Sequence, residues 1–129
     1  MKLLLDTHIW LWSLSEPEKV GKRALRELKN SENEVWLSPI STWEALLLHR
    51  KGRIQLDDDV DWGMAERAGG FREAPLTHEI VIAAHRLSLM HADPADRFLA
   101  ATAKVLGLTL VTADKKLLGL GEIATLANR

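Results

Sequence analysis

The sequence of 129 residues contains no cysteine, which excludes disulfides, thiolate-bound zinc and cysteine nucleophiles. It also lacks an apolar run long enough to span a bilayer. The apolar stretch near the N-terminus, Leu3 to Leu5, is ended by Asp6, so no signal peptide is visible. From these absences we expect a cytoplasmic protein with no membrane-spanning segment.

Net charge is also nearly absent. The formal value is −1, which counts mildly against a nucleic-acid-binding role because such proteins are often basic. The charges are unevenly distributed, however, with Arg50, Lys51 and Arg53 clustered and acidic residues concentrated in 54–76. A local basic rim therefore remains compatible with the composition. Repeats, low-complexity segments and linkers are absent, so we predict one domain over residues 1–129.

The pattern of apolar residues predicts strands and helices in alternation. Helix-start signals stand at Ser15-Glu16-Pro17, Ser38-Pro39, Thr77 and Asp93-Pro94, and Gly107 is a predicted helix end. The predicted strands are 2–5, 34–38, 71–76, 108–112 and 122–124, and the predicted helices are 7–14, 16–29, 39–50, one between 57 and 70, one from 77, 94–106 and 114–118. Alternation of this kind is typical of an α/β fold, in which helices cover both faces of a parallel sheet.

Two carboxylates follow predicted strands at their carboxyl ends, where ligands bind in such folds. Asp6 comes directly after Leu5, and Asp114 stands two residues after Thr112. Either residue taken alone is better explained as a helix N-cap. Two of them at one edge of a sheet make a shared site a serious alternative.

Two further carboxylates lie on helix faces that should be buried. Glu44 shares its face with Ile40, Leu47 and Leu48, and Asp96 precedes Leu99 on an apolar stripe. A buried carboxylate without a partner is costly, or its pKa rises. Pairing with a nearby cation such as Arg97 or a lysine explains one such residue as well as function does. Two on separate helices are better explained by a shared site.

Four carboxylates in the absence of cysteine suit a hard cation. Mg²⁺ and Mn²⁺ prefer oxygen ligands, and a divalent ion relieves the repulsion between crowded carboxylates. Such ions activate water and stabilise charge on phosphate. The expected reaction is therefore hydrolysis of a phosphodiester without a protein nucleophile.

These residues stand in segments that resemble the PIN-domain superfamily, and within it the VapC-type toxins. The similar segments occur in the family's order and cover most of the chain: Leu5-Asp6-Thr7-His8 with Trp10, Ser41-Thr42-Trp43-Glu44, Asp93 through Ala103, and Leu110-Val111-Thr112-Ala113-Asp114. The resemblance implies a three-layer α/β/α sandwich with about five parallel strands. It implies an acidic pocket formed by Asp6, Glu44, Asp96 and Asp114.

The resemblance also implies roles within that pocket. Asp6 and Asp96 are the expected direct ligands of Mg²⁺ or Mn²⁺, while Glu44 and Asp114 act through water or hold a second ion. Thr112 is expected to orient a ligand or water. For Arg97, pairing with a site carboxylate, contact with phosphate and plain structural pairing stay open. Asp93 is interpreted as a helix-start residue outside the site.

The implied activity is that of a metal-dependent endoribonuclease, the toxin of a toxin–antitoxin pair. The implied partners are an RNA substrate, a cognate antitoxin that covers the carboxylates, and a second copy of the chain in a homodimer. Tryptophans could contribute to a hydrophobic groove or dimer face, whereas core packing is the stronger interpretation for two of them. The groove candidates are Trp10, Trp12, Trp43 and Trp62, and the core candidates are Trp36 and Trp43.

Three other interpretations stay open at this point. A phosphohydrolase that uses Asp6 as its nucleophile would resemble the haloacid dehalogenases, but their pattern has a second aspartate where this chain has His8. A non-catalytic PIN fold could bind RNA or protein, although all four acids are present. A PIN nuclease could also process RNA in a housekeeping role.

Overall fold

The computed structural model describes residues 1–55, 70–89 and 93–129. The strands are β1 (Lys2–Leu5), β2 (Glu34–Leu37), β3 (Arg72–Glu73), β4 (Thr109–Thr112) and β5 (Ala124–Ala127). The helices are α1 (Thr7–Ser15), a 3₁₀ turn (Pro17–Lys19), α2 (Lys22–Lys29), α3 (Pro39–Arg50), α4 (His78–Arg86), α5 (Pro94–Leu106) and α6 (Lys115–Leu118). No helix in these ranges is long and apolar enough to cross a membrane.

The five strands form one parallel sheet in the order β3-β2-β1-β4-β5. The middle strand, β1, contains three consecutive buried leucines, Leu3 to Leu5, as is typical of a strand with both faces covered. Leu4 packs in one core cluster, and its neighbours Leu3 and Leu5 pack in the other, as the two-residue period of a strand requires. The predicted α/β class and the parallel five-stranded sheet are confirmed.

Helices cover both faces of this sheet. The buried residues of α4 and α5, such as Ile80 and Leu99, belong to the cluster that contains Leu4. Those of α1 and α2, such as Trp10 and Ala24, belong to the other. The three-layer arrangement is therefore also confirmed.

Several predicted helix boundaries are made by the expected side chains. The hydroxyls of Ser38 and Thr77 accept hydrogen bonds from the backbone N–H groups of Ile40 and Ile80 at the starts of α3 and α4. Gly107 ends α5 in the left-handed region with φ 67°, which glycine adopts without strain. Local signals of this kind were sufficient to place these helices.

The predicted helix over 16–29 is wrong as a single element. Ser15 does not cap a new helix but ends α1, where its hydroxyl donates to Leu11 O at 3.1 Å. The chain then makes the short 3₁₀ turn and restarts at the extended residue Gly21, whose N–H donates to Asn128 Oδ1 at 2.7 Å. A side chain at Gly21 would collide with the backbone of Arg129, so this tertiary contact divides the segment.

The last strand begins two residues later than predicted and is one residue longer. It was expected at 122–124, whereas β5 spans Ala124–Ala127 and pairs with all four residues of β4. Only Leu126 of β5 is buried, so this edge strand carries a weak apolar signal, and its position follows from the backbone pairing. The helix expected between 57 and 70 falls mostly outside the described residues.

Candidate active site

Adjacent parallel strands bring Asp6 and Asp114 to one edge of the sheet. Leu5 pairs with Val111, and the backbone N–H of Asp6 extends the ladder by donating to Val111 O at 3.0 Å. Asp6 stands at the N-cap position of α1, but its side chain makes no capping bond. Its Oδ2 instead accepts a hydrogen bond of 2.6 Å from the hydroxyl of Thr112. Helix capping therefore does not explain the orientation of the Asp6 side chain.

Thr112 links the side chain of Asp6 to the backbone of Asp114. Its hydroxyl oxygen accepts from the backbone N–H of Asp114 at 3.0 Å while its proton goes to Asp6. Asp114 does act as a helix cap, because its Oδ1 accepts from the N–H of Lys116 at 2.8 Å. The capping interpretation and the site interpretation are thus both compatible with Asp114, since one carboxylate has two oxygens.

Two helices bring Glu44 and Asp96 to the same edge. The α3 helix packs against α1 and α5, and a buried hydrogen bond of 3.0 Å between the hydroxyls of Thr7 and Ser41 fixes α1 on α3. Glu44 follows Ser41 by three residues and so lies on the same face of α3. Asp96 lies in the first turn of α5, where its backbone N–H donates to Asp93 Oδ1 at 3.0 Å.

These side chains line a cavity of about 290 Å³, which we call the acidic cavity. Its described lining consists of Asp6, His8, Ile9, Trp12, Glu44, Asp93, Asp96, Ala113 and Asp114. Five of these nine residues are carboxylates, and none is a lysine or arginine. The four acids predicted from the sequence therefore do converge.

The acidic cavity favours the protonated forms of three of its carboxyl groups. Burial raises the pKa of Asp6, although the hydrogen bond from Thr112 opposes that rise. Burial also raises the pKa of Glu44, against the effect of the neighbouring Thr7 hydroxyl. The pKa of Asp96 rises to about 7 through burial and then through repulsion from the other carboxylates, with Asp93 first among them. A cation in the cavity would remove that repulsion.

Asp93 was not predicted as a site residue. It is the helix-start residue that the sequence indicates, since it caps α5 through Asp96, but its side chain also lines the acidic cavity. The spacing of three residues between Asp93 and Asp96 places both on one side of the helix start, and this signal could have identified it. His8 is exposed and also lines the cavity.

Arg97 lies away from the carboxylates. Its Nη1 donates to Ala84 O at 2.7 Å and to Leu87 O at 3.4 Å, and its Nη2 donates to Leu89 O at 2.6 Å. It lines a separate, mostly apolar cavity with Val81 and Phe98. Of the three alternatives left open for Arg97, the structure therefore shows a purely structural one, directed at backbone carbonyls.

The donor set of the acidic cavity fits a hard divalent cation. Carboxylate oxygens are the ligands that Mg²⁺ and Mn²⁺ prefer, and the described lining of the cavity contains five carboxylates and no lysine or arginine. Burial is the first cause of the raised pKa values of Asp6, Glu44 and Asp96, and repulsion from neighbouring carboxylates adds to it. Within the described ranges, however, no three acidic or histidine side chains stand close enough to hold an ion as they are. Binding would require the carboxylates to draw together, which a cation favours.

The tryptophans divide differently from the expectation. Trp10 is fully buried in the core, so it forms no groove or dimer face, and Trp12 is partly buried beside the acidic cavity. Trp36 is partly buried and packs against the core cluster that contains Leu4, as expected, with the Arg72 guanidinium 5.8 Å from its ring centroid. The core position expected for Trp43 is wrong, because this side chain is 56% exposed. Trp62 lies outside the described residues.

Comparison with known proteins finds a protein family and a relative that this chain resembles over most of its length. The sequence profile of the PIN domain matches residues 3–123. Ribonuclease VapC22 of Mycobacterium tuberculosis is 33% identical over 116 residues, which are 89% of this chain and 88% of that protein.

Two solved structures have the same fold at low identity. DNA-bound VapBC from Salmonella typhimurium aligns with a TM-score of 0.74 and 16% identity over 100% of this chain and 99% of that one. A toxin–antitoxin complex from Klebsiella pneumoniae aligns with a TM-score of 0.69 and 17% identity over 98% of each chain.

Proposed function

The chain belongs to the PIN-domain family, and from that premise we propose that it is an endoribonuclease dependent on Mg²⁺ or Mn²⁺ and the toxin of a toxin–antitoxin pair. The observation that carries this proposal is the convergence of five carboxylates on one cavity whose described lining holds no lysine or arginine. The activity on RNA is supported by the relative named a ribonuclease, at 33% identity. The toxin role is supported by the toxin–antitoxin complexes that share the fold.

In this proposal Asp6 and Asp96 hold the ion directly, and Glu44 and Asp114 act through water or hold a second ion. The ion supplies activation of water and stabilisation of charge on the phosphate of the scissile bond. The chain contributes the placement of these oxygens on rigid elements: a strand end, two helices and the loop after β4. None of the described side chains needs to form a covalent bond to the substrate.

Thr112 acts on the site through Asp6. Because its oxygen already accepts from the Asp114 N–H, its single proton is directed to Asp6 Oδ2, which favours the ionised carboxylate. The same hydroxyl fixes the start of the loop that carries Asp114. We propose that Thr112 is a positioning residue, which narrows the expectation that it orients a ligand or water.

The proposed partners follow from the same cavity. An antitoxin that covers the acidic cavity would meet carboxylates, so a segment bearing lysine or arginine has the complementary charge. A homodimer, which the resemblance to VapC-type toxins implies, is also part of the proposal. Sedimentation of the purified protein tests the dimer, and copurification with the product of an adjacent small gene tests the antitoxin.

The decisive experiment is cleavage of total RNA by the purified protein in Mg²⁺ or Mn²⁺. We expect cleavage that is lost in EDTA and lost in Asp6→Asn, which removes one charged oxygen donor at nearly constant volume. Thermal unfolding of the variant verifies that it is folded. Equal cleavage by wild type and variant would mean that the activity comes from a contaminant. If the folded wild-type protein, free of antitoxin, does not cleave RNA, the remaining interpretation is a non-catalytic binding module.

A further inference from the structure

A second groove continues from the acidic cavity along α3. It has a volume of about 290 Å³ and shares Glu44 and Asp93 with the acidic cavity, so the two spaces adjoin. Its other described lining residues are Trp43, Leu47, Leu48, Lys51, Arg53, Pro94 and Ala95. We call it the Trp43 groove.

Trp43 is the most exposed large hydrophobic side chain in the part of the chain that the structure describes. It directly precedes Glu44 on α3, so an aromatic ring stands beside a carboxylate of the proposed site. Leu47 and Leu48, one turn further along, are partly buried and give the groove an apolar floor. An exposed indole on such a floor offers a flat surface for another planar group.

The cations of this region lie at the far end of the groove. Lys51 and Arg53 are exposed and follow Glu44 by seven and nine residues. At 1.5 Å per residue, Lys51 stands about 10 Å from Glu44 along the α3 axis. The groove therefore has a negative end, where it meets the acidic cavity, and a positive end.

We propose that the Trp43 groove holds single-stranded RNA next to the scissile bond, with a base stacked on Trp43 and backbone phosphate against Lys51 and Arg53. This inference rests on the proposed ribonuclease function. The substrate in the groove is single-stranded because only an unstacked base can lie against an aromatic side chain. Trp43, Lys51 and Arg53 thus become residues that determine substrate binding.

The charge pattern favours RNA over a protein segment as the occupant. A polyanion can approach carboxylates only where cations balance it, and the acidic cavity has no described lysine or arginine in its lining. A bound metal ion would balance the charge of the scissile phosphate, while Lys51 and Arg53 would balance the charge of the neighbouring phosphates. A cationic protein segment suited to the acidic cavity would be repelled at the far end of the groove.

The test measures RNA binding directly, with cleavage prevented by Asp6→Asn in every protein. The Asp6→Asn protein without a further substitution is the parent. The probe is a short, end-labelled single-stranded RNA of mixed sequence, followed by fluorescence anisotropy in Mg²⁺ over a series of KCl concentrations. The variants are Trp43→Ala, Trp43→Phe and the pair Lys51→Gln with Arg53→Gln. The matched control is Lys2→Gln with Lys29→Gln, which removes two exposed charges at the opposite edge of the sheet.

The two kinds of variant should differ in salt dependence. Trp43→Ala should weaken binding between about fivefold and a hundredfold without changing the slope of affinity against salt, and Trp43→Phe should retain most of the affinity because it keeps a stacking surface. The Lys51 and Arg53 pair should reduce that slope by roughly 1.4, from about 0.7 for each phosphate contact. The control pair should leave the slope close to that of the parent protein.

Cleavage by the wild-type protein separates the two proposals. If wild type cleaves RNA but Trp43→Ala and the Lys51 and Arg53 pair bind like the parent, the groove does not hold RNA and is open to a protein partner. If wild type fails to cleave and the parent fails to bind, both proposals are overturned. In the cleaving protein, the same substitutions should lower kcat/KM by similar factors, and unchanged values would also overturn the inference.

Discussion

The carboxyl group of Asp6 is held between two opposing influences. Burial raises its pKa, while the short hydrogen bond from Thr112 favours the charged form that a cation needs. Thr112 is fully buried, so its hydroxyl has no water to replace either of its two partners. The effect of this single hydroxyl can be separated from that of the side-chain volume.

Thr112→Val should therefore impair the site and the fold together. The substitution keeps the shape but leaves Asp6 Oδ2 and the Asp114 N–H without that partner, at a cost of roughly 1–3 kcal/mol in the free energy of unfolding. RNA cleavage should fall, because Asp6 ionises less readily. Urea unfolding and cleavage rates give the two measurements. Thr112→Ser, which retains the hydroxyl, is the matched control, and a Val variant that performs like the Ser variant would contradict this role.

Asp96 gives a prediction for the pH dependence of stability without metal. Its pKa rises from 3.8 to about 7 on folding, so the folded protein holds a proton that the unfolded chain releases. The corresponding stability is fully present below about pH 4 and is lost as the pH rises through about 7. Thermal unfolding in EDTA should show a falling midpoint over this range.

Asp96→Asn is the control for that titration, because the amide cannot ionise. Its midpoint should fall less steeply between about pH 4 and 7 and should exceed that of wild type near neutral pH. Parallel profiles for the two proteins would mean that Asp96 does not titrate in this window.

Arg97 connects two helices, α5 and α4. Its guanidinium on α5 donates to carbonyls at and after the end of α4, where a helix leaves its last carbonyls without partners. The same helix carries Asp96 in its first turn. The bonds of Arg97 therefore stabilise the packing of α4 on the helix that supports the site.

Replacing Arg97 by methionine should lower the free energy of unfolding by roughly 2–4 kcal/mol, because at least two partly buried carbonyls lose charged donors. Arg97→Lys should give an intermediate value, since one ammonium cannot reproduce the planar fork. Urea unfolding measures both. Methionine and lysine variants as stable as wild type would show that these bonds contribute little.

Local sequence signals predicted most elements but not their tertiary adjustments. Ser38, Thr77 and Gly107 define helix ends through contacts within a few residues, so their positions follow from the sequence alone. The helix α2 begins only after Gly21 because of the contacts of this glycine with Asn128 and Arg129, more than 100 positions away. No periodicity in the segment 16–29 carries that information.

The convergence of the acids on one cavity was predictable because the topology brings strand ends together. Asp6 and Asp114 follow adjacent parallel strands, so their convergence follows from the α/β pattern. The directions of Arg97 and Trp43 were not predictable, because periodicity gives a face of a helix but not the neighbour on that face. Asp93 was missed because one role, capping, already explained it.

The five carboxylates of the acidic cavity predict that Mg²⁺ stabilises the folded protein. An ion that binds the native carboxylates and not the unfolded chain adds about 2.7 kcal/mol at a hundred times its Kd, or roughly 10 °C in the unfolding midpoint. The measurement belongs near pH 8, where the carboxyl group of Asp96 is ionised. KCl at equal ionic strength controls for screening, and Asp6→Asn combined with Asp96→Asn should remove the response. A wild-type midpoint that Mg²⁺ and KCl raise equally would mean that the acidic cavity does not bind the ion, and the proposed nuclease mechanism would then lose its cation.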